Sequence, residues 1–176
     1  MHQRILALVD TYAIQSATLA ASVALVAYLY RAPDLYALAV LTFVVNGLIL
    51  PGLLRRLVRS LQVDRMVNMY ASVRMSALAG LGLLLLAVLV VGPLTPYAEV
   101  SVAGLLPIST AILLIGFFLL ISRRKAVSQV IGLLVMNNGI LLAGIALTYG
   151  LGIFVELGFA ANLLVLAIVA RIFVTR

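Results

Sequence analysis

The 176-residue chain has no cysteine, one histidine and five acidic residues. Without cysteine there can be no disulfide, thiolate metal site or cysteine nucleophile. The histidine, His2, stands beside the N-terminus and reads as a solvated tail residue rather than a ligand. Charge is scarce throughout. Only 10% of residues are charged, against about a quarter in a soluble domain. The sequence has no polar stretch long enough for a water-soluble domain. It has no glycine-rich phosphate loop, metal-ligand cluster or nucleophilic triad either. No cofactor or metal is expected, and no catalytic residue that would make the chain an enzyme by itself.

What is present is apolar. Hydrophobic residues make up 65% of the chain, and the mean hydropathy is +1.28. A core of this size cannot hide that much apolar surface, so the sequence predicts an all-α, multi-pass membrane protein. A spanning helix needs about 20 mostly apolar residues. Six segments qualify: 5–29, 35–54, 73–92, 102–121, 126–148 and 152–174. Asp10 breaks the first apolar run early, and the segment continues to Tyr30, which favours a retained helix over a cleaved signal. Ala32–Pro33–Asp34 and the 92–96 stretch read as turns. Tyr149–Gly150–Leu151–Gly152 reads as a tight loop that would make the last two helices a hairpin.

Basic residues set the expected orientation. In a six-helix arrangement Arg4, Arg55, Arg56, Arg59, Arg65, Arg74, Arg123, Arg124, Lys125, Arg171 and Arg176 fall on one side, and Arg31 on the other. Both termini are therefore expected to face the cytoplasm, with localisation in a bacterial or archaeal cytoplasmic (inner) membrane. This asymmetry accounts for the net charge of +7 without a nucleic-acid partner. The 55–74 loop, with Arg55, Arg56 and Arg59, and the Arg123–Arg124–Lys125 cluster are candidate contacts for anionic headgroups or a cytoplasmic partner.

The candidate functional residues are polar side chains set deep in apolar helices. Gln15 and Ser16 lie on the first, Asn46 on the second, and Ser109 and Thr110 on the fourth. Asn137 and Asn138 lie on the fifth, and Asn162 on the sixth. An amide in hydrocarbon is costly unless hydrogen-bonded. Two readings fit such a layer: hydrogen bonds that fix helix packing, or a partly hydrated path. Asp10, inside the first helix, and Glu156, inside the sixth, are the candidate protonatable groups. Pro51 and Pro107 remove donors from helices two and four. A kink for packing and, beside Gly47, a hydrated notch are the alternatives at Pro51. The third helix has no polar side chain near its midpoint and is expected on the lipid-facing rim.

The 122–140 stretch, running from Ser122–Arg123–Arg124–Lys125 to Met136–Asn137–Asn138–Gly139–Ile140, resembles the hydrogenase-4 component E family. So do Val155–Glu156–Leu157–Gly158–Phe159–Ala160–Ala161–Asn162 and Thr42–Phe43–Val44–Val45–Asn46–Gly47, the latter followed by Pro51 and Arg55–Arg56. The resemblance implies a membrane subunit of an energy-converting hydrogenase or formate hydrogenlyase-type complex. Its partners would be antiporter-like and complex I-like subunits. It also implies one membrane domain in two parts, 1–92 and 93–176. The second part is similar to the complex I K subunit and the antiporter C subunit. The family pattern suggests a lysine at Asn46, a glutamate at Asn137 and an acid at Asn162, and related subunits a glutamate at Leu134. Only Glu156 matches an acidic position. The path candidates are therefore Glu156, Asn162, Asn137, Asn138, Asn46 and Asp10, with amides where relatives hold charge. An amide hydrogen-bonds water but stores no charge near neutral pH.

Overall fold

A computed structural model describes residues 2–60, 73–93, 104–123, 126–148 and Ala160. Every described element is helical. Helix α1 is His2–Tyr30. Helix α2 runs without a break through Pro33–Thr42, a π-helical stretch Phe43–Ile49, and Leu50–Ser60. Then come α3 (Val73–Val91), α4 (Leu105–Ser122) and α5 (Ala126–Thr148). Four stretches are long and apolar enough to cross a bilayer: Ile5–Tyr30, Pro33–Arg59, Leu105–Ser122 and Val127–Leu147. A shorter one, Ser76–Val91, lies in α3. The expected sixth helix, 152–174, lies outside the described residues apart from helical Ala160, as do Arg65, Arg124, Lys125 and the 149–152 loop.

The helices fall into two compact units, one containing α1 and α2, the other α3, α4 and α5. In the first unit the buried apolar and hydroxyl residues of α1 include Ile5, Val9, Tyr12, Ser16, Leu19, Val23 and Val26. Their spacing alternates four and three, the seven-residue repeat of a narrow seam that packs side by side with a neighbouring helix. The neighbour is α2, reached through a two-residue connection. Ala32 N–H donates to the Ala27 carbonyl (3.1 Å) and Arg31 N–H to Tyr28 (3.4 Å). Arg31 has φ 51°. This is the six-to-one, five-to-two bond pattern that closes a helix through a left-handed residue. Pro33 then opens α2 at a position that needs no donor.

Helix α2 buries Thr42, Asn46, Leu50, Leu54 and Val58, each four residues from the last. In a regular α-helix every such step advances the stripe by about 40°, so the last residue would drift to the far side. The π-helical stretch at Phe43–Ile49 turns more slowly, and the stripe stays on α1. Leu50 N–H reaches back five residues, to the Val45 carbonyl. The wider turn answers Pro51, which cannot donate and whose ring crowds the carbonyl four residues earlier. A side chain at Gly47 would meet only the Phe43 ring, at 3.6 Å.

Two further sequence expectations are corrected. Helix two extends past Leu54 to Ser60, so Arg55, Arg56 and Arg59 lie on a helix rather than in a loop. Its apolar face (Leu54, Leu57 and Val58 buried) keeps the helix packed beyond the expected end. Helix four starts at Leu105 rather than 102. Pro107 is thus its third residue, in the first turn, where a missing N–H costs nothing.

In the second unit α4 packs against both α3 and α5. Most described side chains of α3 are exposed, and Ala87 is buried. Helices α4 and α5 run antiparallel with their backbones in contact. A Cβ built on Gly116 would lie 2.4 Å from Met136 N, one on Gly132 2.6 Å from Leu120 N, and one on Gly139 2.6 Å from Leu113 N. No real side chain fits at those distances. In lipid such close approach replaces the hydrophobic effect as the source of helix association. Gln129 Nε2 closes the hairpin by donating to the Arg123 carbonyl at the end of α4 (2.9 Å).

We predict that Gly116→Ala or Gly132→Ala lowers stability by about 1–3 kcal/mol, the usual cost of overpacking. Gly80→Ala, where a Cβ meets nothing within 4 Å, serves as the control. Thermal midpoints in mild detergent read the difference, and equal midpoints for all three would contradict the seam.

Candidate functional site

Among the described residues the buried polar side chains are few, and each unit holds its own set. In the first unit Ser16, Thr42 and Asn46 are all 0–1% exposed, and Tyr12 is 1% exposed. Ser16 lies fourteen residues from Tyr30 and Asn46 thirteen from Pro33. At 1.5 Å per residue both are about 20 Å from the Arg31 turn. Both therefore lie well inside the apolar stretches that are long enough to cross a bilayer. Asn46 falls inside the π-helical stretch, and such stretches recur at functional sites.

In the second unit Asn138 and Ser109 are fully buried, and Asn137 is half-buried. The two amides lie at the middle of α5. Asn138 precedes Gly139, whose backbone abuts Leu113 of α4. Two hydroxyls on α4 are already engaged within their own helix. Ser109 Oγ donates to the Leu106 carbonyl (2.8 Å) and Thr110 Oγ1 donates to the same atom (2.9 Å). Thr11, Thr18 and Ser22 of α1 likewise return their hydroxyls to the carbonyls of Ala7, Ile14 and Thr18. This is the standard disposal of a hydroxyl in a helix that lacks water. These five hydroxyl protons are committed to carbonyls.

The expected polar layer therefore divides by chemistry. Ser109 and Thr110 serve their own backbone, whereas Asn46 and Asn138 are buried amides at mid-helix. Glu156 and Asn162 lie outside the described residues.

Asp10 belongs to a different arrangement. Arg55 Nη2 donates to Asp10 Oδ1 at 2.6 Å and Nε to the same oxygen at 3.1 Å. The side chains remain 44% and 54% exposed. Asp10 is twenty residues from Tyr30 and Arg55 twenty-two from Pro33, about 30–33 Å from the Arg31 turn. The pair thus sits at the far end of the α1–α2 hairpin, about one hydrocarbon thickness from the turn and outside the buried amide face. It joins α1 to α2 as the Arg31 turn joins them at the other end.

Sequence reasoning missed the pair and the burial of Tyr12 and Thr42. A signal existed. An antiparallel hairpin turning at residues 31–32 brings residue 10 opposite residue 53, so the lone acid of α1 falls within one turn of Arg55 and Arg56 of α2. Tyr12 and Thr42 stand one turn before Ser16 and Asn46, on the same faces.

No family model matches the chain, and no solved structure does. The chain is similar to Uncharacterized protein Rv0085 of Mycobacterium tuberculosis, with 30% identity over 143 residues. The match covers 81% of this chain and 65% of that protein, so the chain spans just under two-thirds of its relative's length.

We predict a coupling of about 0.2–1 kcal/mol between Asp10 and Arg55, as for exposed ion pairs. A double-mutant cycle with Asp10→Asn and Arg55→Gln, followed by thermal midpoint, measures it. Strict additivity would show that the contact joins nothing.

Proposed function

We propose that the chain is a membrane subunit of a redox-driven complex of the hydrogenase or complex I type. It would link antiporter-like, ion-translocating subunits to the redox module. In this reading it crosses the cytoplasmic membrane six times with both termini inside, and other chains hold the metal centres and do the catalysis. The observation that carries the proposal is the placement of amides. Asn46 and Asn138 are buried at mid-helix, Asn46 and the adjoining Asn137 being positions where the resembled family sets charged groups.

The amides also favour a second reading, a subunit that keeps the architecture and moves no protons. Asn46 and Asn138 cannot relay a proton as a carboxylate does. Asp10, the acid of α1, is engaged by Arg55 at the end of the hairpin remote from the Arg31 turn. Glu156 decides between the two readings.

The test is purification of the tagged chain from its own membranes in mild detergent, followed by proton-pumping assays on the reconstituted complex. Stoichiometric antiporter-like and redox subunits are expected to co-purify. A chain that runs alone would contradict the proposal and favour a stand-alone transporter or channel. In the complex, Glu156→Gln is expected to reduce pumping at least tenfold if Glu156 relays protons. Unchanged pumping selects the structural reading.

A further inference from the structure

Helix α2 outlasts the hydrocarbon. Arg56 and Arg59 lie twenty-three and twenty-six residues from Pro33, about 34 and 39 Å of rise. A bilayer's hydrocarbon is about 30 Å thick and its headgroups bring the total to about 40–45 Å. With the Arg31 turn at one hydrocarbon boundary, Arg56 would stand within the opposite headgroup layer and Arg59 at its outer edge.

Their surroundings are asymmetric. Leu54, Leu57 and Val58 are buried, whereas Arg55, Arg56 and Arg59 are exposed. The three arginines occupy an arc of about 100° on the outer face of the helix. Asp10 takes up Arg55. Among the described residues no carboxylate lies within ion-pairing distance of Arg56 or Arg59. These two are three residues apart, so their side chains are neighbours on the helix surface, with Cβ atoms about 5–6 Å apart. A guanidinium fork binds phosphate oxygens bidentately, and at this spacing two long arginine side chains can reach one phosphate.

We propose that Arg56 and Arg59 form a binding site for the phosphate of an anionic phospholipid. Asp10 shapes the site by withdrawing Arg55 from it. The phosphate source is the membrane rather than a soluble anion, because a spanning α2 would set the two exposed arginines at the headgroup layer and its outer edge. The reading rests on α1 and α2 spanning the bilayer, and not on any partner subunit.

The test uses the full chain in a neutral mild detergent. Short-chain phosphatidylglycerol is titrated and the thermal midpoint followed, with phosphatidylcholine and inorganic phosphate as parallel arms. Phosphatidylglycerol is expected to raise the midpoint saturably, and the other two to leave it unchanged. A basic residue near a charged lipid surface contributes about fivefold in affinity. Arg56→Gln/Arg59→Gln should therefore need about 25-fold more phosphatidylglycerol for the same shift, each single variant about fivefold more, and Arg31→Gln no more than wild type. An unchanged response in the double variant would overturn the site. An equal response to phosphatidylcholine or inorganic phosphate would overturn its assignment to an anionic lipid. If the double variant does not fold, the two single variants carry the test, and wild-type affinity in both overturns it. Because no partner is needed, failure here leaves the subunit proposal standing, and failure to find partners leaves the lipid site standing.

Discussion

The structure depends on one constraint: a backbone amide or carbonyl in hydrocarbon must find its partner within the protein. Each local departure from a plain α-helix is an answer to it. Pro51 removes a donor, and Leu50 N–H bonds back to Val45 through a widened turn. Helix α1 stops at Tyr30, and the amides of Arg31 and Ala32 turn back onto its last carbonyls. The end of α4 offers the Arg123 carbonyl, which the side-chain amide of Gln129 meets. Threonine and serine hydroxyls on α1 and α4 fold onto carbonyls of their own helices. Beside these groups the described helices carry a short set of buried amides and a charged rim.

Association follows a second, weaker rule. Lipid is as apolar as leucine, so burying leucine gives helices little reason to pair. The two units solve this differently. In the first, α1 and α2 interlock a seven-residue stripe with a stripe kept in line by the π-helical turn, and fix the ends with the Arg31 connection and the Asp10–Arg55 pair. In the second, Gly116, Gly132 and Gly139 let the backbones of α4 and α5 touch. The first scheme tolerates polar side chains such as Ser16, Thr42 and Asn46 in its seam. The second places Asn138 beside a glycine contact, where no larger side chain could enter.

Much of this was legible in the sequence, because apolar runs and turn residues report directly on membrane helices. The limits of the third and fifth helices, near 73–92 and at 126–148, match the structure to within a residue. Helix ends failed where amphipathic packing, not hydropathy, sets them. Leu57 and Val58 continue α2 among arginines that a hydropathy reading assigns to a loop. The π-helical turn was hidden too, although the five buried residues of α2 at four-residue spacing hold its trace. For the polar residues, a place along an apolar helix was readable and partnership was not. Nothing in a string distinguishes Ser109, which bonds its own helix, from Asn138, which is buried beside the α4–α5 contact.

The central claim is that α2 is one unbroken helix carrying the chain from the Arg31 turn on one face of the membrane to Arg59 on the other. The absence of native cysteine makes the decisive measurement simple. Asp34→Cys and Arg59→Cys, each the single thiol in the chain, are labelled with a membrane-impermeant maleimide in right-side-out and inverted vesicles. The account predicts that the two positions label from opposite faces. Labelling of both from the same face would contradict it.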